Sequence, residues 1–267
     1  MIHATVRHEG ELTGARVEGD RVILLDAADA VEASSRGGAP WGELDVATAH
    51  FARSSPVPEH VLCIGLNYRS HIEQLGRPTP EYPTFFAKFA STLTGPRDVI
   101  TLPSVSRQVQ GEVELAVVVG RSLHRADVQE ASAAIAGFSV ANDLSMRDWQ
   151  HRTSEALQGK VFDRSTPLGP YLVSPDDVDG GRDLELSFRV DGVTWQVGST
   201  SDMLFSPGEL VSYCSHFLTL RPGDVILTGT PGTTPAASDL QPGSLLETAV
   251  EGLGVSINPT TAEPGEH

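Results

Sequence analysis

Cysteine, positive charge and long hydrophobic runs are all scarce in this sequence. Its two cysteines, Cys63 and Cys214, each lie in an apolar run. They exclude a disulfide framework or a thiolate metal site, and we expect both to be small core residues. Nineteen Lys and Arg against 35 Asp and Glu give a formal net charge of −16. Such a chain repels polyphosphate, which argues against nucleic acid or an anionic membrane as a partner.

Membrane and secretion signals are also missing from the sequence. No apolar run approaches the roughly 18 residues that a membrane-spanning helix needs. The first ten residues, MIHATVRHEG, lack the basic and apolar regions of a signal peptide. Because two isolated cysteines suit a reducing compartment, we expect a cytoplasmic protein without membrane segments.

Two parts can be distinguished along the chain. We expect residues 1–55 to form a small β-rich N-terminal domain, in which two short strands flank the turn at Glu18-Gly19-Asp20. The segment SSPVPEH then leads into a larger main domain, which we place at residues 56–267. At 267 residues the chain is long enough for one large domain with a small appendage.

Apolar strands dominate the main domain and are separated by loops that carry Pro and Gly. The strand-like segments are VLCIG, PTFFAKF, EVELAVVVG, AGFSVAND, GPYLV, LELSFRV and DVILTG. LSFRVDGVTWQVG predicts a hairpin with Asp191-Gly192 at its turn. Helices are few, and we expect them at 67–76, 126–136, 145–157 and 206–218. The pattern predicts a mixed α/β fold dominated by β-structure.

Two glutamates, Glu112 and Glu114, lie two positions apart in the strand-prone run GEVELAVVVG. In a strand they would share one face, where their mutual repulsion beside a core has to be offset. An exposed edge strand is one explanation. The other uses a third acid, Asp143, which ends the strand-like segment AGFSVAND. Three carboxylates form a hard ligand set for Mg²⁺, Mn²⁺ or Ca²⁺ rather than zinc, and they leave positions open for a chelating substrate.

Six segments, taken in order, resemble motifs of the fumarylacetoacetate hydrolase superfamily: VLCIGLNYRSHIEQLG, PTFFAKFASTLTGP, GEVELAVVVG, VANDLSMRDWQ, LQGKVFDRSTPLGP and RPGDVILTGTPG. The resemblance covers roughly residues 58–257. It is closest to the branch of 2-hydroxyhepta-2,4-diene-1,7-dioate isomerases, acylpyruvate hydrolases and oxaloacetate tautomerases. It implies a rolled, mixed β-sandwich catalytic domain, usually in a homodimer, with Glu112, Glu114 and Asp143 binding Mg²⁺ or a similar ion.

The resemblance also implies roles for residues around the ion. His71 matches the general base of the family, and histidine titrates near neutrality. Hydrolase and decarboxylase members carry a Glu three positions later, where this chain has Gln74, which accepts a hydrogen bond but supplies no charge. Lys160 matches a lysine placed over the developing enolate, and Asp163 could hold it by an ion pair. Other positions that match substrate-facing residues of the family are Asn67, Tyr68, Lys88, Arg147, Gln150 and Thr230.

Three functions fit this pattern. We narrowly favour Mg²⁺-dependent hydrolysis of a C–C bond in a small acylpyruvate-like β-diketo acid, in which His71 activates water and an enolate is left at the ion. The alternative is tautomerisation or isomerisation of a 2-oxo acid, or decarboxylation of oxaloacetate, and Gln74 favours it. A third possibility is a metal-binding scaffold without catalysis. Only the altered His71 helix and the unusual loop 230–235 support that possibility.

Overall fold

The computed structural model describes residues 1–264 and is rich in strands. Its α-helices are short: α1 Ala30–Arg36, α2 Arg69–Gln74, α3 Val128–Ser132, α4 Arg147–Gln150 and α5 Pro207–Ser215. The strands are β1 Ile2–His8, β2 Glu11–Glu18, β3 Arg21–Leu25, β4 Pro40–Asp45, β5 His50–Phe51, β6 Val61–Gly65, β7 Thr84–Lys88, β8 Leu93–Thr94, β9 Ile100–Leu102, β10 Val109–Gln110, β11 Val113–Val119, β12 Ile135–Asn142, β13 Ser145–Met146, β14 Thr166–Pro167, β15 Tyr171–Val173, β16 Glu185–Val190, β17 Val193–Ser199, β18 Val225–Leu227, β19 Leu245–Val250 and β20 Gly254–Ala262.

Two large sheets enclose the main core. The first has 11 strands in the order β4-β3-β2-β1-β15-β12-β11-β18-β6-β7, with β5 paired to β1. Most of its pairs are antiparallel, and β18 and β6 are parallel. The second has five strands in the order β17-β16-β19-β20-β9. Buried side chains of both sheets, such as Leu115, Phe138 and Phe188, belong to one hydrophobic cluster. The predicted mixed, β-dominated sandwich is therefore confirmed.

Strand β11 shows why the acid centre lies where it does. All seven of its residues are buried, as expected for a strand covered on both faces. Leu115 and Val117 belong to the cluster shared with the second sheet, whereas Ala116 packs in a separate cluster with residues of β6 and β18. Because alternate residues share a face, Glu114 lies on the same face as Ala116, away from the second sheet.

The seven strand-like segments of the main domain all form strands, and both turns are as predicted. The pair Glu18 and Arg21 closes the β2–β3 hairpin. At the β16–β17 turn, Asp191 and Gly192 have φ of 51° and 79°, as a two-residue hairpin turn of this kind requires. Cys63 and Cys214 are buried and free. Burial raises the pKa of both thiols, that of Cys214 to about 12, so they are core residues as predicted.

The helix predictions are right in place but too long. Helices α2, α3 and α5 lie within the predicted ranges, and Asp127 and Ser206 begin α3 and α5 with capping boxes. The range 145–157 is wrong as a single helix, because β13 pairs with β10 and only four residues then form α4. Helix α1 was not predicted. Its start is fixed by Asp29, whose carboxylate accepts hydrogen bonds from two backbone N–H groups.

The N-terminal strands join the large sheet directly. Ile2 of β1 lies opposite Val173 of β15, so the sheet is continuous from the N-terminal segment into the main part of the chain. The domain boundary at residues 55 and 56 stays a prediction. Within residues 1–264, every helix is too short or too polar to span a bilayer.

Candidate metal centre and active site

Three carboxylates meet where β11 begins and β12 ends. Glu112 directly precedes β11, Glu114 is its second residue, and Asp143 directly follows β12. The two strands are antiparallel, with Val113 opposite Asn142, so the start of one strand adjoins the end of the other. One oxygen from each carboxylate lies within 4.8 Å of the others, and all three side chains are buried. The sequence pattern thus located a real cluster.

This cluster fits a hard divalent ion. Oxygen ligands of Mg²⁺, Mn²⁺ or Ca²⁺ lie roughly 3–5 Å from one another, and such ions prefer carboxylates to histidine or cysteine. Burial, together with the charges of Asp143 and Glu112, raises the pKa of Glu114 well above its usual value. Within residues 1–264 no cationic side chain pairs with Glu114, whose Oε2 accepts a hydrogen bond only from the Gly229 N–H. A bound cation would supply the missing positive charge.

Two lysines and one arginine, Arg147, surround the other two acids. Lys160 Nζ lies 2.5 Å from Glu112 Oε2 and 2.7 Å from Asp143 Oδ2, and Lys88 Nζ pairs with the other oxygen of Asp143. Burial disfavours the charge on Lys160, but Asp143 and Glu112 outweigh it and raise its pKa. Lys160 therefore stays charged, and its partners are these two acids rather than Asp163.

The two lysines of this cluster are the only lysines in the chain, and the other 17 of its 19 Lys and Arg residues are arginines. Both ammonium groups are buried, with side chains 0% and 4% exposed for Lys88 and Lys160. The Lys160 ammonium also lies 5.7 Å from the ring centre of Phe86, a distance at which a cation–π contact contributes. This restriction of lysine to one site is a sequence signal that the motif comparison did not use.

The Arg147 guanidinium is hydrogen-bonded to three side chains. It donates to Glu112 Oε1 at 2.5 Å, Gln150 Oε1 at 2.8 Å and Gln110 Oε1 at 3.1 Å. Arg147 therefore orients Glu112, and Gln150 reaches the site only through Arg147. Arg147 and Lys160 lower the pKa of Glu112, outweighing its burial. Gln110, which the sequence analysis missed, lies two positions before Glu112 and so belongs to the same local pattern.

His71 is half-buried in helix α2. Burial lowers its pKa, Glu112 and the Gln74 side chain oppose that effect, and Arg147 and Lys160 add to it, so its charge state is coupled to the acid centre. The ring is neutral at pH 7 and can accept a proton. Its Nδ1 is buried without a hydrogen-bond partner among residues 1–264.

Tyr68 and Asn67, which precede His71 in the sequence, differ from each other in their hydrogen bonds. The Tyr68 hydroxyl is also buried and unpartnered within the described residues, and burial and Glu114 raise its pKa. Asn67 uses its side-chain amide to bond the backbone of Phe205 and Thr228, so it links the segment between β6 and α2 to the neighbouring loops. Its predicted contact with substrate stays a prediction.

Both ends of the Gln74 amide bond the backbone of Thr233. Its Nε2 donates to Thr233 O at 2.8 Å, and its Oε1 accepts from Thr233 N–H at 3.0 Å. Thr230, in the same loop, accepts a hydrogen bond from Gln196, a buried residue that the sequence analysis missed. The Gln74 amide thus connects α2 to loop 230–235.

The comparisons with known proteins agree with this architecture. Residues 60–261 match the family model described as fumarylacetoacetate (FAA) hydrolase C-terminal. The chain is 42% identical over 207 residues to the human protein oxaloacetate tautomerase FAHD2A, mitochondrial. That alignment covers 75% of this chain and 66% of the human protein, slightly less than two thirds of the relative.

Solved structures agree over nearly the whole chain. The 5-carboxymethyl-2-hydroxymuconate delta-isomerase from Mycobacterium smegmatis superposes with a TM-score of 0.86 at 29% identity, covering 98% of this chain and 100% of that chain. The 2-hydroxyhepta-2,4-diene-1,7-dioate isomerase from Mycobacterium marinum gives 0.83 at 28% identity, with 99% and 100% covered. By its matched family model, its motifs and its fold, this chain belongs to the fumarylacetoacetate hydrolase superfamily.

Proposed function

We propose that this protein is a divalent-metal-dependent tautomerase or isomerase of a small 2-oxo acid. The proposal rests on the identity and the contacts of Gln74. Its amide bonds the Thr233 backbone through both ends, and as an uncharged side chain it supplies no carboxylate at position 74 to stabilise an imidazolium at His71 while water is activated. Transfer of a proton between carbon and oxygen needs a base but no such water. The names of the human relative and of the two mycobacterial structures support the same reaction class.

Glu112, Glu114 and Asp143 would hold the ion, with Mg²⁺ or Mn²⁺ as the best match to three carboxylates. Such an ion, when bound, supplies Lewis-acid polarisation of a carbonyl oxygen. Arg147 holds Glu112 in place through its hydrogen bond to Oε1. The net result is a ligand set that is oriented before substrate arrives.

Lys160 and His71 have complementary roles in the proposed reaction. The Lys160 ammonium stays charged in a buried site and stabilises negative charge that develops on the substrate oxygen, an effect worth about 10²–10³ in rate for one well-placed group. His71, neutral at pH 7, takes the proton from one position of the substrate, and a proton is delivered to the other. One proton leaves oxygen and one joins carbon, or the reverse, and no water is consumed.

A two-substrate assay tests the proposal. Enol oxaloacetate and Mg²⁺ should give rapid loss of enol absorbance without release of CO₂, whereas acetylpyruvate should keep its diketone absorbance. Release of pyruvate and acetate from acetylpyruvate at a comparable rate would instead establish the C–C hydrolase that the sequence narrowly favours. Pyruvate and CO₂ from oxaloacetate would establish a decarboxylase. Ion binding with no turnover of any of these substrates would leave only the scaffold.

The homodimer and the cytoplasmic location stay proposals based on the family resemblance and on the composition. Light scattering during gel filtration measures the first directly. A mass of one chain, at micromolar concentration, would contradict the homodimer.

A further inference from the structure

Loop 230–235 is fixed on one side to the strand that carries the acids. Gln196 is 1% exposed. Its Nε2 donates to Thr230 Oγ1 and to Pro231 O, both at 2.9 Å, and its Oε1 accepts from Val113 N–H at 2.8 Å. Because Val113 lies between Glu112 and Glu114, this one buried amide connects the loop to the segment that carries the acids.

The other side of the loop is held by Gln74 alone among the side chains of α2. The two hydrogen bonds between the Gln74 amide and the Thr233 backbone run in opposite directions. Only a carboxamide can make both, because a carboxylate has no donor and would turn an oxygen toward the Thr233 carbonyl. Unlike the Gln196 bonds, this pair is exposed, so it can be altered without opening the core.

Gly232 lies close to both the Gln74 amide and His71. A Cβ added to Gly232 would lie 2.5 Å from Gln74 Oε1 and 3.7 Å from His71 Nδ1. The loop backbone at Gly232 therefore lies beside the Nδ1 edge of the imidazole, and Nδ1 is buried without a hydrogen-bond partner within residues 1–264. Packing of the loop against this edge would limit how the ring can turn.

We propose that Gln74 is a positioning residue that clamps loop 230–235 at Thr233 and thereby holds Gly232 against His71. The inference rests on the proposed function, since it concerns the base of that reaction. It gives the Gln in place of the family's Glu a role of its own: the orientation of the histidine comes from a packed loop, not from a charged partner.

Gln74→Glu tests the clamp, with Gln129→Glu on the exposed face of α3 as a matched charge control. We expect kcat for enol-to-keto conversion to fall about 10- to 100-fold in Gln74→Glu, because misplacing a catalytic group by about 1 Å costs that much. KM and Mn²⁺ affinity should stay within about threefold, and the melting temperature within about 4 °C. In a His71→Gln background, Gln74→Glu should add no further loss, since both changes remove one function. An additive loss would mean a general structural effect and would overturn the proposal.

Hydrogen exchange gives a readout that does not depend on turnover. In Gln74→Glu the Thr233 amide should lose protection, while the Val113 amide, bonded to Gln196, should keep it. Unchanged protection at Thr233, unchanged kcat, or a gain of acetylpyruvate hydrolysis would each overturn the clamp. If the wild-type protein turns over no 2-oxo acid but Thr233 behaves as expected, the clamp is supported and only the proposed function fails.

Discussion

Glu114 Oε2 accepts a hydrogen bond of 2.5 Å from the backbone N–H of Gly229. Gly229 has a φ of +97°, and a Cβ at this position would lie 2.9 Å from Asn67 Cβ and 3.0 Å from Ile64 O. The loop after β18 can therefore reach the acid centre only through a residue that has no side chain and tolerates positive φ. One backbone group thus links the ligand strand to the segment that carries Asn67.

Gly229→Ala should be more destabilising than Gly10→Ala, which is a matched control. Gly10 has a similar φ of +91°, but nothing lies within 4 Å of its added Cβ. Strain at positive φ costs about 1–2 kcal/mol at both sites, and overpacking adds about 1–3 kcal/mol only at Gly229. Urea unfolding measures both free energies. Equal losses in the two variants would contradict the close approach of Gly229 to Asn67.

The strands and the acid centre could be predicted because both depend on local sequence pattern. Seven apolar segments of the main domain are strands, and the carboxylates come together because one strand begins and the next ends beside them. Helix α1 depends instead on tertiary packing: its Ala30 and Val31 are buried against Val118 and Leu172. Seven residues are too few for a stable isolated helix, so the sequence carries little signal for it.

The partners of the acids could not be predicted, because they come from distant parts of the chain. Lys88 is 55 residues from Asp143 in the sequence. Gln196, which accepts a hydrogen bond from the Val113 N–H, is 83 residues from Val113. The expected Lys160–Asp163 pair failed for the same reason, since closeness in sequence did not decide which acid the ammonium meets. Gln74 was recognised as unusual, but its Thr233 partner lies 159 residues away.

Glu114→Gln should abolish high-affinity metal binding. Calorimetry with Mn²⁺ should show a loss of more than about 100-fold in affinity, since even partners that only orient a ligand contribute about 10- to 100-fold. Glu185→Gln, which changes an exposed strand glutamate, is the control and should bind Mn²⁺ normally.

The stability of the metal-free protein should not depend on a charged Glu114. The raised pKa of Glu114 means that its ionisation opposes folding above its unfolded pKa. The metal-free Glu114→Gln variant should therefore be at least as stable as the wild type at pH 7, and lower stability would contradict that.

The acid limb of the pH–rate profile should lie below pH 6.5. Burial lowers the pKa of His71 from 6.5, and a base works only when deprotonated. Activity should therefore rise with pH through that lowered pKa and be level by pH 7. Initial rates of enol-to-keto conversion from pH 5 to 8, at saturating Mg²⁺, measure the limb. His71→Gln should lower the rate and remove the limb; a limb unchanged in that variant would assign it to another group.

Stability should fall on acidification because of His3. Burial, together with the charges of the N-terminal amine and Arg16, lowers the pKa of His3 to about 4. The unfolded chain binds this proton near pH 6.5 and the folded chain only near pH 4. The contribution of neutral His3 to the free energy of unfolding is therefore complete above pH 6.5 and is lost as the pH falls toward 4. After allowance for screening it is on the order of 2 kcal/mol. His3→Gln should flatten the urea midpoint over this range, whereas His50→Gln at an exposed position should not.

Amine modification should show whether the two lysines stay buried in the native protein. Lys88 and Lys160 side chains are 0% and 4% exposed, and both ammonium groups are paired with carboxylates, so a reagent in solution cannot reach them while the site stays closed. Reductive methylation of the native protein should therefore leave both peptides unmodified, and the same treatment in urea should modify both, as read by peptide mass spectrometry. Because these are the only lysines in the chain, lysine modification, as distinct from modification of the N-terminal amine, reports on this one site. Rapid native modification of Lys88 would mean that β7 opens and that its contact with Asp143 is not maintained in solution.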